Sequence, residues 1–322
     1  MRDRYGREID YLRISLTDLC NLRCMYCMPA EGVDKHSHRD NLSLEEVAEI
    51  AAAAVELGVK KIRLTGGEPL VRRGITGLVG KLAALPGLRE LTMTTNGILL
   101  PGMARELKAA GLTRVNLSLD TLDPEKYRKI TRVGTLDDAL AGLRCAEEAG
   151  LTPLKVNAVL IGGFNDDEIP AMVELTRERP LEMRFIELMP IGDTDVFGAA
   201  AYLPVDAVLE RAPELEPLPE GEAPPRGSVA RLYALPGAAG RVGLISPVSC
   251  SFCGGCNRVR LTADGFIKPC LHSGKEYPLR GLHGDALRAA LADAIGQKPE
   301  EHGVLSKTER SGAGRNMHEI GG

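Results

Sequence analysis

Strand-like and helix-like patterns take turns through the first 190 or so residues of this chain, and that alternation leaves few folds open. Runs rich in apolar and β-branched residues predict strands at Tyr11–Ser15, Lys61–Thr65, Glu90–Thr94, Arg114–Leu119, Leu154–Ile161 and Met183–Leu188. Helical periodicity predicts helices over Leu44–Leu57, Ile75–Ala84, Gly102–Ala110, Leu136–Ala149 and Asp166–Arg177. Ser43-Leu-Glu-Glu46 has the form of a capping box at the start of the first helix, and Gly58 closes it. Six such units with short connections predict an α/β fold, an incomplete (βα)6 TIM-type barrel built on a parallel sheet. After Pro190 the pattern changes. Glu214–Gly227 is rich in Pro, Glu and Gly and reads as a loop, with Pro217, Pro219, Pro224 and Pro225. Beyond it, Val229–Leu235, Arg241–Leu244 and Asn257–Leu261 predict short strands of a smaller C-terminal α+β domain. The expected division is therefore 1–195 and 196–322. Composition alone makes polar, glycine-rich Ser306–Gly322 a flexible tail.

Cysteine usage narrows the chemistry. Eight cysteines in 322 residues are too few for a disulfide-dense secreted scaffold, and they cluster. Cys20, Cys24 and Cys27 form one trio; Cys250, Cys253, Cys256 and Cys270 share a second short segment. Cys145 stands alone in a helical pattern, as a small buried hydrophobe does. Three thiolates can hold three irons of a four-iron, four-sulfur cube and leave the fourth iron open. The alternative for the first trio is zinc, with His36 or His38 completing four ligands. The start of the chain has no signal-peptide pattern, and no stretch is long and apolar enough to span a bilayer, so a cytoplasmic protein is expected. A net charge of −4, no Trp and only 5 Phe argue against a general nucleic-acid binder.

The loops at the carboxyl ends of the predicted strands carry small or polar groups in succession. The first trio follows strand one, Thr65-Gly66-Gly67-Glu68-Pro69 follows strand two, Thr94-Thr95-Asn96-Gly97 follows strand three, and Ser118-Leu119-Asp120 ends strand four. Barrel active sites are built on that rim. Paired glycines let backbone groups come close to a ligand. In the second segment Arg258 and Arg260, two apart on a strand, project to one side and suit phosphate oxygens. A solvated basic edge strand is the alternative reading.

Through C-x3-C-x2-C, Tyr26 before the third cysteine, and the Gly-Gly-Glu-Pro loop, the chain resembles radical S-adenosylmethionine enzymes. The resemblance implies that the open iron is chelated by S-adenosylmethionine, which one electron cleaves to methionine and a 5′-deoxyadenosyl radical. It places Gly67, Ser118, Met189 and the Tyr26 backbone around that cofactor. With Cys253-Gly-Gly-Cys256, Cys270, Asn257-Arg258-Val-Arg260 and the Gly321-Gly322 terminus added, the chain is similar to the GTP 3′,8-cyclase family of molybdenum cofactor biosynthesis. That likeness implies two [4Fe-4S] clusters, ligated by Cys20, Cys24 and Cys27 and by Cys253, Cys256 and Cys270. It implies GTP as substrate, with Arg13, Arg63, Thr94, Lys155, Arg184, Arg258 and Arg260 around it, and a diglycine tail reaching into the active site. The implied product is (8S)-3′,8-cyclo-7,8-dihydroguanosine 5′-triphosphate, formed by a lyase. An electron donor and a downstream cyclic pyranopterin monophosphate synthase are the implied partners, with a homodimer allowed. Charged residues inside strand patterns agree with this, because buried cations are costly without an anion. No GxxxxGK[ST] loop is present to cradle phosphates. Cys250 departs from the family pattern: as a fourth ligand it would close the second cluster, and it is expected to be a spare thiol. No side chain stands out as a general base, and residues 31–42 and 214–227 carry no functional signal.

Overall fold

The computed structural model describes residues 1–33, 41–191, 197–219, 227–250, 252–303, 305 and 311–321. His36, His38, Pro224, Pro225 and Gly322 lie outside the described residues. Among the described residues twelve strands form one sheet: β1 Tyr11–Ser15, β2 Lys61–Thr65, β3 Glu90–Thr95, β4 Arg114–Ser118, β5 Lys155–Leu160, β6 Glu182–Glu187, β7 Glu216–Pro217, β8 Ala230–Ala234, β9 Arg241–Ile245, β10 Arg258–Leu261, β11 Phe266–Lys268 and β12 Tyr277–Pro278. Their order is β12-β11-β10-β1-β2-β3-β4-β5-β6-β9-β8-β7. The helices are α1 Leu44–Glu56, α2 Ile75–Ala83, α3 Ala104–Ala109, α4 Pro124–Thr131, α5 Leu136–Glu148, α6 Ile169–Glu174, α7 Ala207–Arg211 and α8 Gly284–Gly296.

Strands β1 to β6 pair in sequence order and in parallel, as the partial barrel requires. The later part of the chain extends that same sheet at both edges. β10 lies parallel to β1 with Arg13 opposite Arg260, and β9 lies parallel to β6 with Arg184 opposite Gly243. Each then continues into antiparallel strands, which cover edges that would otherwise offer free backbone groups.

One face of the parallel strands is apolar. Leu12, Ile14, Ile62, Leu64, Met93, Val115, Leu117, Val156, Ala158, Met183 and Phe185 are buried there and join the main core with residues of the helices. Side chains alternate along a strand, so the intervening residues share the opposite, inner face. In β1 to β6 these are Tyr11, Arg13 and Ser15; Lys61, Arg63 and Thr65; Glu90, Thr92 and Thr94; Arg114, Asn116 and Ser118; Lys155, Asn157 and Val159; and Glu182, Arg184 and Ile186. A barrel interior is ordinarily packed with branched apolar side chains. This one is mostly polar.

The capping box is present: Glu46 N–H donates to Ser43 Oγ at 3.1 Å and Ser43 N–H to Glu46 Oε2 at 2.7 Å. The expected helix over Asp166–Arg177 is shorter, a 3-10 turn at Asp166–Glu168 followed by α6, and tight i→i+3 bonds from Thr176 and Arg177 end it. α4 was not expected, yet Asp123 at its N-cap and Pro124 in its first turn are its start signals. Cys145 packs partly buried against the core. Residues 311–321 correct the flexible-tail expectation, since Ala313, His318 and Ile320 are buried.

The Asp123 carboxylate accepts from the N–H groups of Glu125 at 2.8 Å and Lys126 at 2.9 Å, and α4 in turn supports the first cysteine loop. Asp123→Ala is expected to lower unfolding free energy by about 1 kcal/mol, read as a lower urea midpoint with unchanged slope.

Candidate functional site

The first trio sits on a loop whose backbone is held from two sides. Arg23 and Met25 donate N–H bonds to Thr131 and Ile130 at the end of α4, and Arg132 Nη1 donates to the Arg23 and Met28 carbonyls at 3.0 and 2.9 Å. From β2, Gly67 N–H bonds the Thr17 carbonyl at 2.7 Å and Glu68 N–H the Leu19 carbonyl at 2.8 Å. A Cβ on Gly66 would lie 2.6 Å from the Thr17 carbonyl oxygen, and one on Gly67 would overlap the Leu19 carbonyl. The paired glycines thus let the loop after β2 press directly on the cysteine loop. Buried Glu68 locks the next loop as well, accepting from Thr95 Oγ1 and Asn96 N–H, both at 2.8 Å. Burial pushes its carboxyl up to about 7.

Asn96 Nδ2 reaches Asn21 Oδ1 at 2.7 Å and Cys20 Sγ at 3.8 Å, while Tyr26 OH donates to Asp120 Oδ2 at 2.8 Å. Burial pushes the Cys20 thiol up to about 11 and Cys27 to about 12 and raises Cys24 strongly, with Asp120 and the neighbouring thiols adding to the rise at Cys24. A thiol set of this kind is kept ionised by metal, which supplies positive charge. Among the described residues no three His, Cys, Asp or Glu side chains converge on a single-ion position. A four-iron cube instead takes its thiolates on separate irons. Gly67, Ser118 and Met189 lie at the carboxyl ends of β2, β4 and β6, on the rim that carries this loop.

The inner face below that rim gathers cations. Registers set Arg260, Arg13, Arg63, Thr92 and Arg114 side by side across five strands. Burial, and then Arg260 beside it, hold the Arg13 guanidinium well below its usual range; Arg63 and Arg260 are each brought down to about 10, chiefly by burial. Burial and Arg184 bring Lys155 down to about 8, although Glu182 bonds both Lys155 and Arg184. Several buried polar atoms of this face find no hydrogen-bond partner among the described residues: Tyr11 Oη, Thr94 Oγ1, Asn116 Nδ2, Asn157 Oδ1, and Arg258 Nε and Nη2. Buried polar groups are almost always satisfied. Crowded cations and unmatched donors together fit an anionic, polar ligand of nucleotide type.

The second trio precedes and follows β10. Since β10 runs parallel to β1, Cys253 and Cys256 lie at the amino end of the strands, opposite the first trio. Tyr11 to Ser15 spans about 13 Å. Burial alone would raise Cys256, but Lys298 and Arg258 beside it bring it down to about 7. Cys253, Cys256 and Cys270 are half-buried, whereas Cys250 is exposed. Fully buried Glu187, at the end of β6, accepts from the N–H groups of Val248 at 2.8 Å and Ser249 at 2.9 Å and so holds the segment leading into this group.

The tail enters this arrangement. His318 Nδ1 lies 2.9 Å from the Cys27 carbonyl, and Ile320 packs with Ile191 and Ala313 beside Met189. The Gly321 carbonyl accepts from Arg260 Nη1 at 2.7 Å and Arg13 Nη2 at 3.1 Å. Among the residues not anticipated, Tyr11, Lys61 and Arg114 were readable from strand alternation, since each lies two positions from a named or polar inner-face residue. Arg7, Lys298 and His318 carried no local signal.

Comparison with known proteins follows the same lines. Residues 14–176 match the radical SAM superfamily and residues 181–304 match Molybdenum Cofactor Synthesis C. The chain is 52% identical to the GTP 3′,8-cyclase of Peptoclostridium acidaminophilum over 99% of this chain and 98% of that protein. It is 49% identical to that of Alkaliphilus oremlandii (strain OhILAs) over the whole of both. Among solved structures, Streptococcus suis SuiB matches with a TM-score of 0.61 at 15% identity, covering 92% of this chain and 68% of that one, a likeness of fold.

At Gly321 φ is +67°, and an added Cβ would overlap Thr65 Oγ1. Gly321→Ala is therefore expected to expel the tail end, so that limited proteolysis cuts within residues 311–321 several-fold faster while the melting temperature barely moves.

Proposed function

The chain belongs to the GTP 3′,8-cyclase family of radical S-adenosylmethionine enzymes, and from that premise we propose how its own residues divide the work. It is a lyase of molybdenum cofactor biosynthesis that converts GTP to (8S)-3′,8-cyclo-7,8-dihydroguanosine 5′-triphosphate, using two [4Fe-4S] clusters and S-adenosylmethionine. When bound, these groups supply one-electron chemistry and a carbon radical that takes the ribose 3′ hydrogen, so that C3′ can join guanine C8.

The observation that carries the residue assignments is the cation-lined inner face lying between two cysteine trios at opposite ends of β1. Cys20, Cys24 and Cys27 hold the cluster that binds S-adenosylmethionine, with Gly67, Ser118, Met189 and the Tyr26 backbone lining that cofactor. Cys253, Cys256 and Cys270 hold the second cluster and leave one position for the guanine base, while exposed Cys250 stays outside the ligand set. Arg13, Arg63, Lys155, Arg184, Arg258 and Arg260 receive the triphosphate, and Thr94 supplies a hydroxyl. These groups bind and orient; their convergence on one face replaces acid–base tuning with placement. Glu182 keeps Lys155 and Arg184 aligned, and the Gly321 carbonyl holds Arg13 and Arg260 in reach of each other.

Residues 1–195 form the barrel half and residues 196–322 the half with the second cluster, although both contribute strands to one sheet. An electron donor and a downstream cyclic pyranopterin monophosphate synthase complete the pathway context in this reading, with a cytoplasmic location and a homodimer allowed. Among the described residues, no helix is long and apolar enough to cross a membrane.

After anaerobic reconstitution and reduction, release of 5′-deoxyadenosine is expected to depend on GTP and to vanish in Cys24→Ala; release indifferent to GTP overturns the substrate assignment. The Lys155 ammonium, brought down to about 8 by burial and Arg184, is lost from the free protein as pH rises past that value. A triphosphate binds the charged form. GTP affinity measured by calorimetry should therefore fall above pH 8, by up to about tenfold per pH unit, and Lys155→Arg should flatten that limb.

A further inference from the structure

The three cysteines of the second trio come from two stretches of chain, and both stretches hang from one short segment, residues 298–300. Lys298 follows α8, bonding its backbone N–H to the Ile295 carbonyl at 3.1 Å. Its side chain is only 2% exposed, and Nζ donates to the Arg258 carbonyl at 2.8 Å and the Pro269 carbonyl at 2.7 Å. Arg258 is the second residue after Cys256, and Pro269 immediately precedes Cys270. The same ammonium lies beside Cys256 and favours its thiolate. On the other side of the segment, the Pro299 and Glu300 carbonyls accept from Arg7 at 2.5 and 2.7 Å. Arg7 Nη1 also donates to the Cys253 carbonyl at 2.9 Å, and its Nε pairs with Asp3 at 2.6 Å. All three cysteine positions are thus tied to the segment after α8.

Arg7 has a carboxylate; Lys298 has none among the described residues. A buried ammonium facing only carbonyls and a thiol is costly unless negative charge comes to it. Three thiolates on a four-iron cube leave a net negative charge that grows on reduction, and nearby cations and hydrogen bonds to sulfur raise the reduction potential. We propose that Lys298 is the positioning residue of the second cluster: its ammonium staples the two chain segments that carry the thiolates and supplies the counter-charge for the reduced cluster. The inference rests on the assignment of Cys253, Cys256 and Cys270 as cluster ligands.

The test uses the full chain carrying Cys20→Ala, Cys24→Ala and Cys27→Ala, so that only the second trio can load on anaerobic reconstitution with iron and sulfide. Iron content, iron loss to a chelator and the midpoint potential followed by electron paramagnetic resonance are compared with Lys298 intact, Lys298→Gln and Lys298→Arg. Lys298→Gln is expected to move the midpoint to more negative potential and to lose iron about 10-fold faster, and Lys298→Arg to restore the midpoint. A Lys298→Gln protein with the parental midpoint overturns the proposal, whether or not iron is lost faster, since a purely structural staple leaves the potential alone. Failure of the parent with Lys298 intact to load a cluster overturns the ligand assignment instead, and the proposal falls with it. Should Lys298→Gln not fold, the same parent labelled with 15N-lysine decides the matter: pulsed resonance of the reduced cluster must show a 15N coupling, and its absence overturns the proposal.

Discussion

Parallel pairing of β10 with β1 is the contact on which the rest of this molecule depends. It carries a late strand, more than 240 residues from its neighbour in sequence, to the open edge of a six-strand run. Arg260 then stands beside Arg13 and Arg63, and the cysteines before β10 arrive at the opposite end of the strands from those after β1. Without that pairing the two trios would have no defined relation. With it, they stand at opposite ends of the same short strands.

The arrangement costs stability. Guanidiniums packed against one another inside a barrel lower each other's basicity, and among the described residues Arg258 Nε and Nη2 meet no acceptor. Apolar residues at the same positions would pack better. Such a face is useful only to a molecule that brings negative charge and many acceptors, and a nucleotide triphosphate does both. The tail eases part of the cost by lending the Gly321 carbonyl to Arg13 and Arg260. Crowded cations and unmatched polar atoms thus gather on the face assigned to the substrate, as is common at functional sites.

Much of this was legible beforehand because it rests on local rules. The first strand and helix, with the Ser43–Glu46 cap, follow from alternation and periodicity within short windows. The cysteine trios and the glycine pair are spaced along the chain, and spacing needs no tertiary information. Other features were missed or misjudged for physical reasons. The paired glycines were read as room for a ligand, and spacing could not show that they also let one loop press on another. The tail looked loose because glycine and polar residues dominate it, yet a few buried side chains and two arginine bonds hold residues 311–321. Arg7, Lys298 and His318 left no trace in any motif, because their partners are backbone carbonyls far away in sequence.

By itself, the sequence determined the order of strands and helices, the two sets of thiols and the charged residues placed on alternate strand positions. Those are properties of short stretches, settled by side-chain period, turn chemistry and ligand spacing. Only the tertiary structure decided that the later strands continue the first sheet, that the arginines of five strands share one face, and that Lys298 joins the two legs of the second trio. The reason is that backbone hydrogen bonding between strands, and between a buried cation and carbonyls, is blind to residue type. No pattern along the chain announces which partner it will take.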